Sequence, residues 1–82
     1  MIVSKEDRKF EVSIYETDGE WEGRITEHNI NLVTSVCHLQ HRWTSLEAAL
    51  VGLHRRWQRL FPDDPAPDFR AAIDHPLTTS AS

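Results

Sequence analysis

Cys37, His38 and His41, with His28 and His54 elsewhere in the chain, are the side chains whose types could hold a metal or supply a nucleophile. Zinc takes thiolate and imidazole ligands in a tetrahedron with bonds of ~2.0–2.3 Å. The spacing works against such a site. Along a strand Cys37 and His38 point to opposite faces, and at roughly 3.3 Å per residue Cys37 and His41 lie about 13 Å apart. Only a tight turn at Leu39-Gln40 would bring them together. The segment reads instead as a core cysteine beside surface histidines, so no metal and no cofactor is assigned.

Acyl-transfer and phosphate chemistry find no better footing. Apolar strand neighbours keep the Cys37 thiol protonated and inert. No Gly-x-Ser-x-Gly elbow occurs, and the three glycines are scattered rather than gathered into a phosphate-cradling loop. Glu16, Asp18, Glu20, Glu22 and Glu27 lie along one hairpin and read as a solvated face. A chain of 82 residues also has little room for a deep pocket. The expectation is a non-enzymatic protein with no catalytic residue.

The stretch with a recognition chemistry of its own is basic and helical. Leu46, Leu50, Leu53, Trp57 and Leu60 recur at steps of 4, 3, 4 and 3, with Ala49 and Phe61 widening the stripe. This spacing predicts a helix over Ser45–Phe61. Thr44 and Glu47 have capping-box spacing at its start, and Pro62 pushes Phe61 out of the helical region at its end. Gly52 is costly inside a helix, by about 1 kcal/mol relative to alanine, and is expected to allow close approach to the sheet. The opposite face carries His54, Arg55, Arg56, Gln58 and Arg59, and its arginines suit the negative end of the helix dipole. His54, Arg55, Gln58 and Arg59, with Arg42 and Trp43 nearby, are the candidate interaction residues.

The rest of the chain reads as sheet built to receive this helix. Ile2 and Val3 are either a short first strand or a frayed end, and Ser4 to Lys9 reads as a turn. Phe10, Val12 and Ile14 alternate with polar residues, Asp18-Gly19 is a type I′ hairpin signal, and Trp21, Gly23 and Ile25 alternate on the way back. After a turn at Asn29-Ile30-Asn31, Leu32 to Leu39 is apolar on both faces, as in a central strand. The expected fold is α+β: an antiparallel sheet of three or four strands, comprising the hairpin Phe10–His28 and a third strand, packed against one C-terminal helix. The expected core is Phe10, Val12, Ile14, Trp21, Ile25, Leu46, Leu50, Leu53 and Trp57. Residues 1–61 form one domain. Residues 62–82 form a Pro/Asp-rich linker and a largely disordered tail, in which Asp68 to Ile73 could dock one helical turn through Phe69 and Ile73.

Composition narrows the function classes. A single cysteine fits a reducing compartment, no apolar run is long enough to span a membrane, and MIVSKEDRKF lacks a signal-peptide core, so a cytoplasmic, membrane-free protein is expected. The formal net charge of -4 divides as -3 over residues 1–43, +2 over 44–61 and -3 over 62–82. An acidic total disfavours general nucleic-acid binding and leaves the helix as a local exception. Tyr15, Trp43, Val51 and Phe61 are large apolar groups beyond the expected core, and tryptophan and arginine are enriched at interface hot spots. The favoured function is therefore binding to another protein or to a second copy of itself. Nucleic-acid regulation through the helix face is the alternative.

The order hairpin, strand, then Thr44-Ser45-Leu46-Glu47-Ala48-Ala49-Leu50 resembles the β-β-β-α core of HicB-type antitoxins over roughly residues 9–60. The Pro-Gly-Cys and following glycine that precede the helix in that family are missing, as is a separate DNA-binding segment after it. The resemblance implies toxin binding through sheet and helix. In general character the chain also resembles small proteins of bacterial or prophage gene clusters.

Overall fold

The computed structural model describes residues 1–6, 8–29 and 31–73. Strands β1 (Ile2–Lys5), β2 (Arg8–Thr17), β3 (Glu20–Asn29) and β4 (Thr34–Trp43) form one antiparallel sheet in sequence order, and helix α1 (Leu46–Leu60) packs across one face. The β2–β3 turn is of the type expected, with positive φ at both Asp18 (52°) and Gly19 (80°). Asn29 closes the next turn by accepting from the amides of Asn31 and Leu32 through its own Oδ1, at 3.0 and 3.1 Å. The expected disorder from Pro76 onward lies outside the described residues.

Three boundaries differ from expectation. The turn read over Ser4 to Lys9 shrinks to the residues around Glu6 (φ 57°), because Ile2–Lys5 pair fully with residues 8–11 of β2. The last strand is Thr34–Trp43 rather than Leu32 to Leu39. Val33 takes positive φ (52°) in the turn, so Leu32 and Val33 are left 69% and 90% exposed. This strand is an edge with β3 as its sheet neighbour, not a doubly covered centre. The helix is capped by Ser45, not Thr44: Ser45 Oγ accepts from the Ala48 amide at 3.1 Å, so helical residues begin at Leu46 and the Thr44–Glu47 box does not form. Its other end closes where Pro62 requires, with the Phe61 amide donating to the Trp57 carbonyl at 2.8 Å.

Phe10, Val12, Ile14 and Ile25 from the sheet and Leu53 and Trp57 from the helix are fully buried. Trp21, Leu46 and Leu50, also expected inside, pack at the margin and stay half-buried. The chain then returns. A 3-10 turn, Phe69–Ala72, is capped by Asp68 Oδ1 on the Arg70 amide at 3.1 Å, and it seats Phe69 and Ala72 in the core. Ile73 bridges Ile14 in parallel, where β1 no longer covers β2. The packed unit therefore runs to Ile73 and does not stop at Phe61.

Two glycines fix how closely helix and sheet approach. A Cβ on Gly52 would lie 2.3 Å from Trp43 Cζ2, and one on Gly23 would lie 2.9 Å from Trp43 Cζ3. The Trp43 indole is thus a wedge between β3 and α1 that fits because both walls lack side chains. The helix glycine has the packing role its cost implied.

Candidate functional site

Two glutamates of β3 organise the charges of the sheet, one on each face. Glu22, on the face away from the helix, accepts from the Tyr15 hydroxyl, from Arg42 Nε at 3.2 Å, and from Arg24 Nη2 and Gln40 Nε2 at 3.4 Å. These neighbours bury it to 6% exposure and, led by the Tyr15 hydroxyl and then Arg42, hold its carboxyl below the usual range. The same hydrogen bond raises the Tyr15 phenol above its ordinary value. Glu27, on the helix-facing side, is gripped by Arg8 at 2.7 and 3.0 Å and by His38 Nε2 at 2.7 Å, and its carboxyl falls to about 2, with Arg8 the main cause. Neither carboxylate is poised to exchange protons near neutral pH.

His38 reaches Glu27 because of a bulge. Ile25 pairs with Leu39 and Thr26 with Cys37, so His38 is the extra residue of β4. It turns to the helix side with Leu39, where its ring lies 6.0 Å from that of Phe10. Cys37 faces the other way and is exposed, not the core cysteine expected. The edge position of β4 is the reason. His28 spans Ser35 (2.8 Å) and Glu11 (3.1 Å), and His41 lies edge-on to Trp43, with ring centroids 4.8 Å apart. Among the described residues no group of three or more His, Cys, Asp or Glu side chains is arranged to hold a metal.

The six candidate interaction residues separate into three places. Arg42 sits on the far face of the sheet with Glu22, not beside the basic helix face. Trp43 is the wedge between Gly23 and Gly52. His54, Arg55, Gln58 and Arg59 are exposed on α1 as expected. The surplus aromatics are also largely absorbed: Phe61 lies edge-on to Phe10 (5.2 Å) and against Trp57 (5.1 Å), and Tyr15 is tied to Glu22. Of that group only Val51, 49% exposed, is open to a partner.

A groove between α1 and β4 remains. Leu39, Gly52, Arg55, Arg56 and Arg59 line a depression of about 240 Å³. It continues along the helix into a second, of about 470 Å³, where Trp43, Val51 and Arg55 meet Glu47 and the first helical turn. Of the sheet carboxylates, Glu22, Glu27 and Glu11 pair with Arg8, Arg24, Arg42, His28 and His38. Arg55, Arg56 and Arg59 make no ion pair among the described residues. Arg56 carries no local mark of this role in the sequence, because its share of the groove depends on where β4 passes under the helix.

No family model, curated protein or solved structure matches this chain. No helix among the described residues is long and apolar enough to cross a membrane.

Proposed function

We propose that this protein is a non-enzymatic binding module that recognises a protein partner through the α1–β4 groove. The observation that carries this reading is the triad Arg55, Arg56 and Arg59, which among the described residues has no carboxylate partner and stands over an edge strand with no second sheet neighbour. Charges satisfied inside a fold contribute to its architecture, whereas a cluster left in water is available to steer and orient a partner. Glu22 and Glu27 are each held by cations of the sheet, so neither draws on the helix triad.

Affinity capture from native lysate, treated with nuclease, tests the reading with wild type and with Arg55→Glu/Arg59→Glu. A defined set of proteins held by wild type and lost from the charge-reversed variant is expected, with an unchanged circular dichroism spectrum. Equal capture by both would remove the groove as the binding surface. Light scattering on a sizing column at low and physiological salt is expected to give a monomer, since the binding charges of two copies repel.

A further inference from the structure

We infer that the groove takes an extended acidic segment of a partner protein, which adds to the β4 edge as a fifth strand and sets carboxylates against Arg55, Arg56 and Arg59. This rests on the reading of the groove as a protein-binding surface and names what enters it. The two sheet edges are unequal. β1 is four residues long; its end is tied down by the Met1 amine on the Val12 carbonyl (2.9 Å) and by Lys5 on Asp64 (3.1 Å). β4 runs for ten residues, and its outer edge has no strand among the described residues. An edge of that length presents alternate backbone donors and acceptors and is a template for strand addition unless it is blunted. The bulge at His38 blunts only its first half. Leu39–Trp43 pair in regular register with Trp21–Ile25, and they are the stretch that α1 overhangs.

The spacings agree. The helix runs back along the strand, since Gly52 lies over Trp43 while Arg55, Arg56 and Arg59 line the wall beside Leu39. Arg55 and Arg59 are separated by about 6 Å along a helix axis at ~1.5 Å per residue. Alternate side chains of a strand, which share one face, repeat at about 6.8 Å. Acidic residues at positions i and i+2 of an added strand would therefore meet successive arginines on one side. Charge also selects against the other occupants. Pairing two copies edge to edge along β4 would bring two Arg55, Arg56 and Arg59 walls to one seam, and β4 itself carries no Asp or Glu to offset them. The chain's own residues 74–82 hold one acid, Asp74, and follow Ile73, which bridges β2 on the side of the sheet away from β4. For nucleic acid, the one ring lining the groove, Trp43, is seated between Gly23 and Gly52 rather than free to stack on bases, and Trp57 is fully buried.

The test uses the full chain, 15N-labelled, and a fluorescent ten-residue peptide alternating Glu with Val and Thr. Three controls accompany it: the same peptide with a central proline, its Lys-for-Glu counterpart, and a single-stranded oligonucleotide. Binding of the acidic peptide is expected to move the amide resonances of Leu39–Trp43. It should weaken at least about tenfold with the proline and again with Arg55→Glu/Arg59→Glu. Equal binding of the proline peptide would overturn strand addition and leave the groove as a binding surface. If no acidic peptide binds while lysate proteins are still captured through Arg55 and Arg59, the acidic occupant is wrong and the function reading stands. Oligonucleotide binding through the same arginines, with no peptide binding, would overturn both.

Discussion

Arg8, Arg24 and Arg42 differ from Arg55, Arg56 and Arg59 in what the fold supplies opposite them. The first three are strand residues held close to a β3 glutamate: Arg42 is the direct cross-strand partner of Glu22, Arg24 shares Glu22's face two residues along β3, and Arg8 reaches Glu27 from the neighbouring strand. The second three are helix residues with solvent or groove in front of them. In a strand the opposing residue is fixed by backbone pairing, so a charge there is matched or costly. On the outer face of a helix nothing fixes it, and helix-end arginines gain only a modest dipole interaction. The strand arginines are therefore committed to the architecture and the helix arginines are left for recognition.

The largest break in this contrast comes from Glu27→Ala. It strips the shared acceptor from Arg8 and His38, and an expected loss of about 2–3 kcal/mol in urea unfolding follows from charged hydrogen bonds lost at a partly buried site. The pH dependence carries a second signature. Because the folded carboxyl titrates at about 2, below its ordinary value of 4.5, its contribution is present in full above the unfolded value. It is lost as pH falls from there toward the folded value. Glu27→Gln should flatten that acid slope. A slope unchanged by Gln would assign the acid sensitivity to other carboxylates.

Gly52→Ala is next. Alanine gains helix propensity of about 1 kcal/mol. Its Cβ, however, would sit 2.3 Å from the Trp43 ring, and overpacking of this kind costs about 1–3 kcal/mol. A net loss of about 1 kcal/mol is expected, with a change in near-UV tryptophan dichroism as the ring is displaced. A stabilised variant with an unchanged spectrum would show that the wedge is loose and the groove deeper than described.

Much of this was legible in the sequence, and the failures share a cause. Period-2 alternation placed Phe10, Val12 and Ile14 inward because their neighbours on both strands share the pattern. The Asp18-Gly19 signal fixed the hairpin, and the apolar stripe fixed the helix. What could not be read was which strand lies at the edge: Leu32 and Val33 look like core residues and are turn and surface. Arg42 follows Gln40 in the same alternation, but only pairing with β3 shows that Glu22 claims it. Thr44 and Ser45 both suit an N-cap, and the strand reaching as far as Trp43 decided for the second. The groove is a product of neighbours distant in sequence, so Arg56 carried no local mark.

A subtler test concerns Tyr15, the chain's single tyrosine. Its phenol is raised chiefly by donating to Glu22, so absorbance at 295 nm should show ionisation above the ordinary value of 10. In Glu22→Gln the midpoint should fall back toward that value. A midpoint that ignores the substitution would mean that burial, not Glu22, governs the phenol, and the far-face cluster would lose its central contact.

The smallest effect expected is the one that bears most directly on the contrast. Replacing Arg55, Arg56 and Arg59 together by alanine removes three charges that touch no carboxylate among the described residues. Alanine is at least as good a helix former, and only a few tenths of a kcal/mol of dipole interaction is forfeited. The triple variant should unfold within about 0.5 kcal/mol of wild type, since Arg55 and Arg59 are exposed and Arg56 is half-buried at the groove wall without a charge partner among the described residues. Raising salt should change its stability only slightly differently from wild type, since the triad has a modest dipole interaction but no close ion pair among the described residues to screen. A loss of more than about 1 kcal/mol would mean that the helix arginines help hold the domain together, and their role as free recognition charges would fall with it.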